Sequence, residues 1–173
     1  MNSKNTFLFI NGIIFYTYWW LSIWGASIGN FYIGPTVAVS YFILHFIIVK
    51  DKFKEFKNLL FCVFIGFIFE SILLYLGFLE YKSMMNSSVI PFWVIILWAG
   101  YSLTVFHSFQ YIKGRYFLSL IIGALFAPLI HISGAKVGAV VLNYSISTSY
   151  FVLMFMWSVA LPLMNYISVK FDD

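Results

Sequence analysis

Six apolar runs, each close to the length of a membrane-crossing helix and parted by short polar breaks, leave this chain few ways to fold. They cover residues 6–24, 31–49, 58–79, 91–111, 116–135 and 148–167. A hydrocarbon core about 30 Å thick takes about 20 apolar residues of helix to cross, and within it every backbone N–H and C=O must be satisfied inside the segment. The runs therefore predict an all-α polytopic membrane protein, a bundle of six transmembrane helices joined by short loops, with residues 1–173 as a single domain. Composition agrees, at 62% hydrophobic and 9% charged, where a soluble domain carries roughly 25% charged residues. Lys4 ahead of an apolar stretch, with Gly25-Ala26-Ser27 beyond it, faintly resembles a signal peptide. The stretch is longer than an h-region and further spans follow, which reads as a retained first helix. Residues 25–30 then form the first hairpin, and Pro35 and Pro91 fall in first helical turns, where a missing N–H does little harm. Pro128 and Pro162 lie deeper and predict kinks.

Charge orients the bundle. With a cytoplasmic N-terminus, the inner face holds Lys4, Lys50, Lys52, Lys54, Lys57, Lys113, Arg115 and Lys170, against Lys82 and Lys136 outside. Eight against two is a positive-inside bias, and it puts both termini in the cytoplasm. The net charge of +4 does not signal nucleic acid, because the lysines fall between spans and no basic stripe alternates with aromatics. Cys62 is the single cysteine, so the chain has no internal disulfide or thiolate cluster, and Cys62 reads as a small core residue.

Against this apolar background the polar residues inside the runs stand out. Glu70 lies near the middle of the 58–79 run, where a charged acid costs roughly 2.5–3.5 kcal/mol on an insertion scale and is a functional candidate by default. A helix advances about 100° per residue, which places Glu70 on a face with Gly66 and Gly77, and His131 with Ala124, Ala127, Ala135 and Gly138. His45 shares a face with Gly34 and Ala38, and Asn11 with Ser22 and Gly25. Small residues mark close helix contacts in membranes, so these side chains are expected to point inward. His107 falls on the most polar stripe of the chain, with Gly100, Thr104, Gln110 and Tyr111, and with Trp93 further along. Depth, at about 1.5 Å per residue, predicts two polar layers, Glu70 at the midplane with His131, and His45 with His107 in the cytoplasmic half.

Several chemistries compete for these residues. Glu70 is read as a proton- or substrate-binding carboxylate, or as the ionised partner of His131; the plainer alternative is a protonated acid bonded to a neighbouring helix. His45 and His107 at one depth could hold a b-type haem between facing helices, or be separate packing histidines. Zinc and di-iron sites need three or more converging His, Asp or Glu ligands, and one acid with three histidines in two layers does not supply them. Retinal attachment lacks a mid-span lysine, and Ser71 and Ser108 lack a nucleophile elbow. Lys136 either holds a lipid phosphate or snorkels to the interface. Trp19, Trp20, Trp24, Trp93 and Trp98 read mainly as an interfacial aromatic belt, with a stacking pocket as the lesser reading.

The strings Pro91-Phe92-Trp93, Leu97-Trp98, His107-Ser108, Ala127-Pro128 and Gly134-Ala135-Lys136-Val137-Gly138-Ala139 resemble a bacterial family of small inner-membrane proteins, domain of unknown function 2878. Trp24-Gly25, Gly34-Pro35, His45 and residues 157–162 fit as well. Glu70-Ser71 stands where that family tends to carry Asp-Ser, so the carboxylate is kept and its reach lengthened. The resemblance spans nearly the whole chain. It implies a multi-pass protein of the bacterial inner membrane, similar in setting to proteins encoded among lipid-modification genes. The leading expectation is a polar centre of Glu70, His131 and His107, with Trp93 and Lys136, that binds or processes a lipid-like small molecule without cofactor or metal. A small transporter with a protonatable Glu70 and a structural or accessory subunit are the alternatives.

Overall fold

The computed structural model of the protein describes residues 3–83 and 89–171. Its elements are α1 (Ser3–Ser27), α2 (Ile33–Ile48), α3 (Lys52–Tyr75), β1 (Leu79–Tyr81), α4 (Phe92–Val105), α5 (Tyr116–Phe126), α6 (Pro128–Val137), β2 (Val140–Leu142) and α7 (Ile146–Lys170), with a 3₁₀ turn at Gln110–Ile112. Among the described residues four helices are long and apolar enough to cross a membrane, Thr6–Ser27, Lys52–Tyr75, Tyr116–Val137 and Ile146–Lys170. Ile33–Ile48 and Phe92–Val105 are apolar but shorter.

The shorter α4 is the central helix. It packs against α1, α2 and α3, and every residue from Trp98 to Val105 is buried. A helix that is apolar and covered all round belongs to the core. Around it α1 also meets α2 and α6, and α7 lies against α3, α5 and α6. Contacts are close where glycines remove side chains. A Cβ on Gly66 would strike the Trp98 indole, and one on Gly100 the Tyr18 ring.

Several boundaries differ from the sequence reading. α1 runs on through Gly25, whose Cβ would meet Asn30 O at 2.8 Å and Ile33 Cβ at 2.9 Å, and the hairpin turns at Gly29 with φ +81°. α4 stops at Val105, because the Thr104 carbonyl accepts from both His107 N and Phe109 N. Ser108 Oγ meanwhile lies 2.8 Å from both Leu8 O and Asn11 Oδ1, two acceptors for its one proton. His107, Gln110 and Tyr111 are therefore not on one helical stripe with Gly100. At Pro128 the helix does not merely kink; it restarts, with proline at the first position of α6, where no N–H is required.

The fold is not purely α-helical. α3 ends with Gly77 at φ +61°, with Phe78 N bonded to Leu73 O and Gly77 N to Leu74 O. α6 ends the same way, with Gly138 at φ +88°, Ala139 N on Gly134 O and Gly138 N on Ala135 O. Both are Schellman caps, which turn the chain sharply out of the helix through a left-handed residue. The two chains so redirected pair as an antiparallel ribbon with Tyr81 opposite Val140 and Leu79 opposite Leu142. This ribbon closes one end of the bundle.

Candidate functional site

The buried face of α3 reads Glu55, Asn58, Cys62, Ile65, Gly66, Glu70, Leu73. Steps of three and four residues, with Ile65 and Gly66 side by side, keep them on one stripe, with an acid near each end. Each acid anchors a separate polar centre.

Glu70 is 2% exposed, and both of its oxygens are used. Oε1 faces Trp98 Nε1–H at 3.0 Å and His131 Nε2 at 3.3 Å. Oε2 accepts the Tyr81 hydroxyl at 2.5 Å. Each donor comes from a different element. Trp98 reaches across from α4 because Gly66, one turn before Glu70, offers no side chain under its indole. His131 is delivered by the first turn of α6, and Tyr81 by the ribbon. Tyr81 lies outside the spanning helices, where burial, and then the Glu70 carboxylate, hold its phenol well above the ordinary range, so it stays a donor. Donation from His131 Nε2 requires the proton there, and Nδ1 has no partner among the described residues.

These groups form part of the wall of a cavity of about 70 Å³. Trp19, Trp93, Trp98, Tyr101 and Trp157 make much of the remaining wall. Trp157 stacks on Trp98 at 5.2 Å and 8°, while Trp93 meets the Tyr81 ring edge-on at 5.7 Å and donates from Nε1 to Lys82 O at 3.1 Å. The space admits a few water molecules or one small polar group. A carboxylate with an imidazole on such a wall can bind a donor group, or pass a proton between the two residues and a bound molecule.

The second centre lies at the other end of the stripe, 15 residues away, or roughly 22 Å along the axis. Glu55 Oε1 is 3.0 Å from His107 Nε2, and Oε2 is 3.4 Å from His45 Nε2. The two imidazoles meet edge-on with centroids 4.8 Å apart, and the Phe7 ring lies against both.

The expected pairing of Glu70 with His131 is present as a direct contact, and Trp93 shares their cavity. His107 does not join them, since the turn after α4 swings it to Glu55. Glu70 is not at mid-helix either. α3 is Lys52–Tyr75 and not 58–79, so Glu70 stands five residues from its last residue, beside the ribbon. Lys136 is exposed at the end of α6 and lines no part of the cavity. The tryptophans divide, with Trp20 and Trp24 exposed as a belt would be, and Trp93 and Trp98 buried in the cavity wall. A haem between His45 and His107 does not fit, because the rings touch and both Nε2 atoms face one carboxylate. Glu55 is the residue that sequence reasoning missed. Its signal was present in the α3 stripe, which continues from Glu70 back through Gly66, Cys62 and Asn58.

A helical, membrane-type protein with a carboxylate–imidazole pair buried on a cavity wall is the class these features define. The family model described as Protein of unknown function (DUF2878) matches residues 8–163, and the chain belongs to that family. No curated protein and no solved structure matches the chain significantly.

Proposed function

We propose that the chain crosses the bacterial inner membrane six times with both termini in the cytoplasm, and that the Glu70–His131 centre binds the polar end of a lipid-like or other small amphipathic molecule. The lysine and arginine distribution supports this orientation. Six spans are supported by the packing of α2 and α4 among the four longer helices, since a central helix need not itself meet lipid along its full length. The observation that carries the binding reading is the cavity, aromatic and apolar on most of its wall, with Glu70, His131 and Tyr81 as a convergent polar group. At about 70 Å³ it takes a hydroxyl or amine end group and leaves the apolar remainder outside. Trp93 shapes the cavity, and in this reading Lys136, exposed at the end of α6, meets a phosphate at the outer interface.

The test compares membrane lipid profiles of a deletion strain carrying the wild-type gene, Glu70→Gln or His131→Asn. Restoration of an altered profile by wild type alone supports the reading. A profile that deletion leaves unchanged, or that both variants restore fully, sinks it. Loss of uptake of a small solute in the same variants, with lipids unchanged, would make the centre a transporter's proton carrier instead.

A further inference from the structure

The Glu55 centre has a geometry that hydrogen bonding alone does not require. Two imidazoles from separate elements, the end of α2 and the turn after α4, aim their Nε2 atoms at the two oxygens of one carboxylate. The ligating atoms of His45, Glu55 and His107 all lie within 4.8 Å of one another. Ligands about 2.1 Å from a tetrahedral ion stand about 3.4 Å apart, so donor atoms that already lie within 4.8 Å of one another need to close by about 1.4 Å at most to share one ion. His45 and Glu55 are buried, and Phe7 packs on both rings. Asn58, the next residue of the stripe, is 2% exposed and its Oδ1 has no partner among the described residues.

We propose that His45 Nε2, His107 Nε2 and the Glu55 carboxylate bind a divalent transition-metal ion of the zinc class. Two imidazoles and a carboxylate are the donor set that such ions favour over Mg²⁺ or Ca²⁺. A dication bound there would balance the charge of the buried Glu55 carboxylate. Three protein ligands leave at least one position for water or a substrate atom, and the His107 side chain, 19% exposed, gives the site an edge open to the outside. The sequence reading set metal chemistry aside because it counted one acid. With Glu55 included, three ligands converge in one layer, and the site stands apart from the Glu70 centre and does not depend on its function.

The test uses the whole protein in detergent micelles. It is stripped with chelator, then titrated with Zn²⁺ against a chromogenic competitor and with Co²⁺ by visible absorption. Wild type and Glu70→Gln are expected to bind one equivalent. Glu55→Gln and His107→Gln should weaken binding by more than about 100-fold, since losing a ligand exceeds the 10- to 100-fold effect of losing a supporting residue. His107 is the decisive position, because its partial exposure lets the variant keep the fold, which a thermal melt checks. No stoichiometric Zn²⁺ in wild type, or undiminished affinity in a folded His107→Gln, overturns the proposal.

Discussion

Tyr81→Phe isolates one hydrogen bond of the Glu70 centre without opening a cavity. The phenol is Glu70 Oε2's only protein donor among the described residues, at 2.5 Å, and the two residues are 5% and 2% exposed. Hydrogen bonds between helices in membrane proteins average only about 0.6 kcal/mol, because the unfolded chain in the membrane also finds partners. An unserved buried carboxyl oxygen costs more, about 1–3 kcal/mol. The second term should win here, since Trp98 and His131 both serve Oε1 and neither covers Oε2. We expect a loss of about 2 kcal/mol. In a Glu70→Leu background the Tyr81 hydroxyl is itself a buried orphan, so removing it should be neutral or stabilising, giving a coupling of at least about 2 kcal/mol. Reversible unfolding in mixed detergent and SDS micelles, followed by tryptophan fluorescence, measures all four corners of the cycle. A Tyr81→Phe step of the same size in both backgrounds, with coupling under about 0.5 kcal/mol, refutes the reasoning.

Gly66→Ala should destabilise by about 1–3 kcal/mol in the same assay, because its Cβ overlaps the Trp98 indole and pushes it off Glu70. Gly138→Ala should lose about 1–2 kcal/mol from backbone strain at φ +88° alone, as nothing lies within 4 Å of the added carbon. If Gly66→Ala is silent, the indole does not depend on that close approach. Cys62, fully buried with Sγ 3.6 Å from Trp98 O, should resist maleimide in micelles and react within minutes after SDS unfolding. That inertness makes topology testable. An impermeant maleimide on intact cells should label Ser147→Cys and spare Lys50→Cys, both exposed and at opposite ends of the bundle, and the reverse pattern would invert the proposed orientation.

Much of the helical layout is readable from apolar run length, because a chain this apolar has little alternative to satisfying its backbone within helices. The inward faces of Glu70, His45 and Asn11 are readable too, from glycine and alanine at helical spacing beside them. The ends of the helices are not. Whether residues 106–112 continue α4 depends on Ser108 finding Leu8 and Asn11 on α1, a contact between residues about a hundred positions apart. The ribbon likewise depends on two left-handed glycines, 61 residues apart, turning their chains toward each other. Tyr81 carries no periodic signal that could pair it with Glu70.

Glu55 shows how the same physics misleads. An acid among Lys50, Lys52, Lys54 and Lys57 reads as part of a solvated, charged connection, and for the lysines that reading serves. What buries Glu55 is the early end of α4, which leaves room for the chain to turn His107 over the first turn of α3 while α2 ends beside it with His45. A longer α4 would carry His107 onward along the α4 face, away from that turn. The short central helix thus creates the second polar centre, and the groups that stop it, the Thr104 carbonyl and the Ser108 side chain, set where that centre forms. Ser108→Ala should therefore weaken Zn²⁺ binding without touching a ligand, by the 10- to 100-fold expected of a supporting residue. An unchanged affinity would show that the turn holds its place without that serine.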